Sequence, residues 1–200
     1  MLVMKPQRTR GFSILELMIT VAVIAVLLAI AAPVWRNAMR KSYLSSVVNG
    51  IVGDMQYARA EAANRHQFVS ICRSTNGSTC DTSAVNYDAG YIVYAYNAAA
   101  NGGNQAYSAS TGTLLRVVAA QTNVSVQATD GNFITFGQTG LPLPNGTRTT
   151  LNMVACARTQ AGSTGVGVNT NATPGARITL GLSGSVASTK LASTAACTAS

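Results

Sequence analysis

A largely apolar run of 23 residues near the start of the chain limits its folding more than any other feature. The run covers residues 12–34 and contains a single charged residue, Glu16. At about 1.5 Å per residue, a helix of this length spans the hydrocarbon core of a bilayer, which is about 30 Å thick. We therefore expect the chain to cross a membrane once, as a helix.

The flanks of the apolar run predict its orientation. Lys5, Arg8 and Arg10 precede it, whereas the acidic residues other than Glu16 come later. Because cationic flanks stay on the cytoplasmic side, we expect residues 1–11 to be a cytoplasmic leader and the rest of the chain to be translocated. A secretory signal peptide has a shorter apolar region followed by a small-residue cleavage site, so the long run here does not fit one.

A carboxylate in a membrane helix is costly unless it is paired, so Glu16 is a candidate functional residue.

Helical periodicity continues over residues 35–65. Apolar side chains recur every three or four positions and predict one buried face, which consists of Leu44, Val48, Ile51, Met55, Ala58 and Ala62. Pro33 lacks a backbone N–H, so we expect a kink or local loosening of the helix there. A helix over residues 12–64 is about 80 Å long, which favours a filament with a helical core over an isolated small domain.

From residue 66 onward the pattern changes to short apolar stretches separated by Gly, Asn and Pro. We predict strands over residues 68–72, 90–96, 114–119, 124–127, 133–136, 150–155 and 177–182, with loops over 97–113 and 159–176. Successive strands without intervening helices predict antiparallel sheets packed on the long helix, an α+β fold. Residues 66–200 are thus expected to form a β-rich globular domain in the periplasm.

The chain contains four cysteines, an even number that favours disulfides in an exported domain. Three pairings are possible. We favour Cys72 with Cys80, which closes a small loop, and Cys156 with Cys197, which attaches the C-terminal tail. No CxxC pair occurs and there is one histidine, so we expect no zinc site.

The ionisable residues offer little material for catalysis, because only 10% of the residues are charged. Asp81, Asp88 and Asp130 lie in predicted turns or at strand starts, where we expect them to cap nearby backbone groups. His66 has no nucleophile or second ligand close in sequence, and we interpret it as structural. The glycine-rich segments lack the lysine of a phosphate-binding loop. We therefore expect no enzymatic activity, no cofactor and no metal.

The segment that begins the apolar run resembles a known processing site. Residues 11–17, with the sequence GFSILEL, are similar to the type IV prepilin site. The resemblance implies that prepilin peptidase cuts after Gly11 and methylates the new amino group of Phe12. It also assigns the assembly carboxylate to Glu16 and the helix proline to Pro33. The amine of Phe12, from the same or a neighbouring subunit, could then neutralise Glu16 within the membrane.

Several stretches of the domain resemble the GspH/FimT/FimU branch of minor pilins and pseudopilins. They are residues 69–74 with Cys80, 88–94, 114–117 and 134–140, in the order expected for that branch. The resemblance implies a type IV pilin-like subunit of a type IV pilus or a type II secretion pseudopilus, near the filament tip. Its partners would be other major or minor pilins or pseudopilins, prepilin peptidase, the inner-membrane assembly platform and membrane lipid.

DNA binding is the alternative function. Some FimT-type minor pilins of the natural transformation machinery bind DNA through arginines in a GRxR-like segment on the last strand. Residues 184–187 occupy that place here, with serine and alanine where the arginines would stand. Arg177 and Lys190 flank the segment and are the candidate phosphate contacts, since such contacts tolerate changes of position.

Overall fold

The computed structural model describes residues 11–97, 102–160 and 162–200. Residues 1–10 of the predicted leader and parts of the predicted loops 97–113 and 159–176 lie outside these ranges. The first element is helix α1, Ile14–Arg65, with 52 residues. It begins directly after Ser13, whose Oγ accepts a hydrogen bond from the backbone N–H of Glu16 at 3.2 Å. A serine followed three residues later by a glutamate is the signature of a helix N-terminus.

Helix α1 continues through Pro33 without a break. The expected local loosening is therefore wrong, because a proline removes only one N–H and the helix continues on both sides, whereas the expected kink stays a prediction. The helix ends at Arg65, and His66 follows with a left-handed φ of 52°. The N–H of Gln67 then donates to the carbonyl of Ala62 at 3.3 Å. This arrangement is a Schellman C-cap, which gives His66 a structural role.

The chain divides between Ala38 and Met39 into an N-terminal helical segment and a compact domain. Within the domain, α1 turns one face inward, and its buried residues are Leu44, Val48, Ile51, Asp54, Met55, Ala58 and Ala62. The six apolar members are those predicted from the periodicity. Asp54 is the unpredicted seventh, and it places a carboxylate among apolar side chains.

Eight strands form two antiparallel sheets of four strands each. Their bounds are β1 Phe68–Arg73, β2 Tyr91–Tyr96, β3 Gly112–Val118, β4 Val124–Ala128, β5 Ile134–Phe136, β6 Thr150–Ala157, β7 Ala176–Gly181 and β8 Val186–Lys190. The first sheet has the order β3-β2-β1-β5 and the second has the order β4-β6-β7-β8. A short 3-10 helix, Tyr87–Ala89, precedes β2.

Buried side chains of α1 and of both sheets belong to one hydrophobic core. Met55 and Ala58 of the helix are almost fully buried in it, together with Val93 of the first sheet and Ile178 of the second. The predicted α+β fold, with a long helix packed on antiparallel sheets, is confirmed. Seven strands lie where they were predicted, whereas β8 was missed because it is mostly exposed and polar.

Two disulfides are present, Cys72–Cys80 and Cys156–Cys197, which is the favoured pairing of the three. The second attaches the C-terminal tail to β6. The same tail is held by Asn169, whose side-chain amide donates to the carbonyls of Ala192 at 2.6 Å and Ala195 at 2.9 Å.

Candidate functional site

The N-terminal half of α1 presents apolar side chains to its surroundings on every face. The large ones between Phe12 and Trp35 are exposed, from 53% at Val23 to 82% at Phe12. The most apolar window of the helix has a mean hydropathy of 2.8, and its length and composition suffice to cross a membrane. A helix that is apolar all round requires a bilayer or neighbouring helices rather than water.

Gly11 and Phe12, the predicted processing residues, precede α1 and are exposed in non-helical backbone. The peptide bond between them is therefore not enclosed in helical hydrogen bonding. Pro33, the predicted helix proline, is exposed within α1. These three residues thus mark the two ends of the apolar segment.

Glu16 lies in the first turn of α1. A carboxylate there is stabilised by the helix dipole, and together with Ser13 it completes the signature of a capped N-terminus. The sequence already contained this signature, and it supplies a local reason for the acid. The other five carboxylates of the chain each pair with an arginine. Within the described ranges, Glu16 alone among the carboxylates has no ion-pair partner.

Asp88 holds together parts of the domain that are distant in sequence. Its Oδ1 accepts the backbone N–H of Val126 at 2.8 Å, and its Oδ2 accepts a hydrogen bond from Arg158 at 2.6 Å. The same arginine donates to the carbonyls of Gln121 and Val124, both at 2.9 Å. The prediction that Asp88 caps a nearby backbone group was wrong, because its partners are on β4 and at the end of β6.

Asp81 and Asp130 do act locally. Asp81 accepts hydrogen bonds from the backbone and hydroxyl of Ser83, which hold the pKa of its carboxyl below the usual range. Asp130 accepts the backbone N–H of Asn132 at 2.9 Å and also pairs with Arg148. Both carboxylates therefore stabilise turns.

Gly90 and Tyr91 follow Asp88, and the structure explains why their residue types occur in this order. Gly90 has a φ of 108°, and a Cβ at this position would lie 2.7 Å from the carbonyl oxygen of Ser74 and 2.9 Å from that of Val118. The hydroxyl of Tyr91 donates to Asp54 of α1 at 2.6 Å. The aspartate-x-glycine-aromatic motif is thus a structural junction between the helix and the first sheet.

Asp54 has a second partner in Arg116 of β3, whose guanidinium also lies 4.8 Å from the centre of the Tyr57 ring. Burial raises the pKa of Tyr91 far above its ordinary value, and the hydrogen bond to Asp54 raises it further. Burial likewise raises the pKa values of Tyr87 and Tyr94. These phenols remain neutral at physiological pH and serve as hydrogen-bond donors in the core.

Arg177 and Lys190, the candidate DNA contacts, lie on opposite faces of the second sheet. Arg177 pairs with Thr189 in the β7–β8 register, and Lys190 pairs with Ala176. Neighbouring residues of a strand point to opposite faces, so the two cations do not form one phosphate track. The structure does not favour the DNA-binding alternative.

No group of three or more His, Cys, Asp and Glu side chains with metal-binding geometry occurs in the described part of the chain. The polar clusters of the domain are instead ion pairs and hydrogen bonds that connect its elements.

Comparisons with known proteins identify two regions. A family model described as type II transport protein GspH matches residues 47–173. A model of the prokaryotic N-terminal methylation motif matches residues 6–32. No curated relative matches at a significant level.

Two solved structures are similar to the chain, both crystal forms of the type IV minor pilin FimU of Pseudomonas aeruginosa PAO1, each at 17% identity. One has a TM-score of 0.48 and covers 74% of this chain and 88% of that chain. The other has a TM-score of 0.49 and covers 75% of this chain and 98% of that chain.

Proposed function

Because the chain belongs to the GspH family of type II transport proteins, we propose that it is a minor pilin or pseudopilin that is processed, anchored in the inner membrane and built into a filament. One observation carries the proposal. The methylation motif over residues 6–32 includes most of an apolar helical segment with exposed side chains on every face. Pilins and pseudopilins are structural subunits rather than enzymes, which agrees with the structural use of the polar residues in the domain.

Processing comes first. Prepilin peptidase cuts between Gly11 and Phe12 and methylates the new amino group, leaving residues 1–11 as a discarded leader. The exposed, non-helical backbone at this bond supports the proposal. The positive amine then lies four residues before Glu16, close enough in sequence to interact with a carboxylate of the same or an adjacent subunit.

The processed chain then waits in the inner membrane. Residues 12–34 cross the bilayer once, residues 35–65 continue the helix, and residues 66–200 form the domain on the periplasmic side. Two disulfides support this location, because disulfides persist in the oxidising periplasm and are rare in the cytoplasm.

Assembly uses the same apolar helix, which leaves the bilayer and packs against the helices of other pilins or pseudopilins with the help of the inner-membrane platform. Glu16 aligns the subunit, because its charge is unpaired in the described ranges and its apolar surroundings make an unpaired charge costly. Both a type IV pilus and a type II secretion pseudopilus fit these features.

Processing provides the decisive experiment. The full chain is produced with prepilin peptidase, and the N-terminus of the membrane-bound product is read by mass spectrometry. Wild type should begin with methylated Phe12, whereas Gly11→Ala should retain the leader. Ser13→Ala, a neighbouring change that leaves the cut site, should still be processed. Normal cleavage of Gly11→Ala would remove the basis for the proposal.

A further inference from the structure

The domain contains more cations than its own carboxylates can neutralise. The five carboxylates beyond Glu16 each pair with an arginine. Arg40 and Arg59 direct their guanidinium groups at backbone carbonyls, those of Arg158 and Gly184. Neither Lys41 nor Lys190 has a carboxylate partner in the described ranges, and both are exposed. Two lysine charges, besides those of Arg36 and Arg177, are therefore available for an anion from outside the chain.

These two lysines line the same groove, between α1 and the edge strand β8. The groove has a volume of about 360 Å³. Lys190 is on the helix side of its sheet, because it pairs with Ala176, two positions from the fully buried Ile178. Leu44 and Val48 of α1 also line the groove, and hydroxyl and amide side chains complete it: Ser45, Asn49, Asn171, Ser188 and Thr189. Two cations surrounded by neutral hydrogen-bond donors suit a phosphate group.

The groove is close in sequence to the apolar segment. Lys41 is seven residues after Val34 in the sequence of the same helix. Arg36 and Arg40 precede it, so three cations follow the apolar run directly. Cations usually accumulate on the cytoplasmic flank of a membrane helix. Cations on the translocated flank therefore need a nearby anionic partner, and the phosphates of the adjacent leaflet are one.

We propose that the groove between Lys41 and Lys190 binds the phosphate of an anionic phospholipid headgroup in the leaflet on the domain side. The inference rests on the membrane anchoring proposed above. Each lysine near an anionic surface strengthens binding about fivefold. A lipid fits better than duplex DNA because Arg177, the other candidate phosphate contact, lies on the opposite face of the sheet.

The sequence supplies a direct probe, because Lys41 and Lys190 are the only lysines after Gly11. The processed full chain is placed in nanodiscs of phosphatidylglycerol or of phosphatidylcholine, and an amine-reactive reagent is applied in short pulses. Peptide mass spectrometry then gives the labelling rate of each lysine. Both rates should be about fivefold lower in phosphatidylglycerol. Inorganic phosphate added to phosphatidylcholine nanodiscs should not lower them.

Two variants separate a shared headgroup from a general surface effect. In phosphatidylglycerol nanodiscs, the Lys41→Gln change should raise the labelling rate of Lys190 to within about twofold of its rate in phosphatidylcholine, because both lysines hold one phosphate. Arg177→Lys places a reporter on the opposite face, and its labelling should not depend on the lipid. Both changes are at polar positions, and thermal unfolding verifies that each variant is folded.

Several outcomes would overturn the inference. Equal rates in the two lipids exclude a preference for anionic headgroups. If labelling of the lysine at position 177 in the Arg177→Lys variant is slowed equally by phosphatidylglycerol, the effect is one of surface potential alone. If labelling of Lys41 and Lys190 is slowed only when other pilins are added, the groove binds a protein partner instead. Failure of the processed chain to insert into either nanodisc would instead contradict the proposed function.

Discussion

Asp88 and Arg158 are 70 residues apart in the chain, yet they form an ion pair in which 6% and 8% of their side chains are exposed. The pair connects the 3-10 helix before β2 to the end of β6, and so joins the two sheets. Arg158 also donates to the carbonyl of Gly165 at 3.0 Å, which attaches the loop after β6 to the same point.

Asp88→Asn should destabilise the domain by about 3–5 kcal/mol, because it leaves the buried guanidinium without its charge partner. Denaturant unfolding followed by circular dichroism measures the loss. The matched control is Glu61→Gln, which breaks the partly exposed pair with Arg65 one helical turn away and should cost about 0.5 kcal/mol. Equal losses in the two variants would show that Asp88 has no special structural role.

Gly90→Ala and Gly53→Ala should change stability in opposite directions. At Gly90 the added methyl meets two carbonyl oxygens in a left-handed backbone, so we expect a loss of about 2–3 kcal/mol. At Gly53, within α1, nothing lies within 4 Å of the added Cβ, so the better helix propensity of alanine should give a gain of about 1 kcal/mol. Melting temperatures of the two variants give the sign of each stability change directly. A Gly90→Ala protein as stable as wild type would contradict the structure.

Alkaline pH should destabilise the domain. The folded-state pKa of Tyr91 is raised by burial and by Asp54, so its contribution is fully present below the unfolded pKa of about 10 and is lost as the pH rises above it. Each such phenol lowers the free energy of unfolding by about 1.4 kcal/mol per pH unit above that point. Unfolding measured between about pH 8 and 11 gives the slope, and Tyr91→Phe should make it shallower. An unchanged slope would exclude Tyr91 as its source.

Glu16→Ala should still be cleaved but should enter filaments poorly, because the subunit loses the charge that we propose aligns it. The amount of the protein in sheared pili or pseudopili, relative to the membrane pool, measures the defect. Ser13→Ala is the control for helix capping, since it removes the hydrogen bond to the backbone of Glu16 at a cost of about 1 kcal/mol. Equal defects in the two variants would assign the role of this turn to capping rather than to alignment.

Periodicity explains what could be predicted from the sequence. The buried face of α1 and seven of the strands follow from apolar spacing and turn residues, which act over a few positions. Strand β8 was missed because its own residues are mostly polar and exposed, and only its pairing with β7 reveals it. The partners of Asp88 and Asp54 were missed because they are brought together by the tertiary fold, 70 residues away for Arg158 and 62 for Arg116. The helix N-cap at Ser13 could be predicted from its spacing to Glu16.

The polar contacts between α1 and the sheets also determine how a pulling force on the helix is transmitted to the domain. Tension along the helix reaches the domain through contacts spread over several turns: Arg40 to the end of β6, Asp54 to β2 and β3, and Arg59 to the turn before β8. Because these contacts lie at different positions along the helix, a pull on the helix is shared among them rather than borne by one. The domain is thereby suited to stay folded while its helix is pulled, as the proposed extraction of the subunit from the membrane requires.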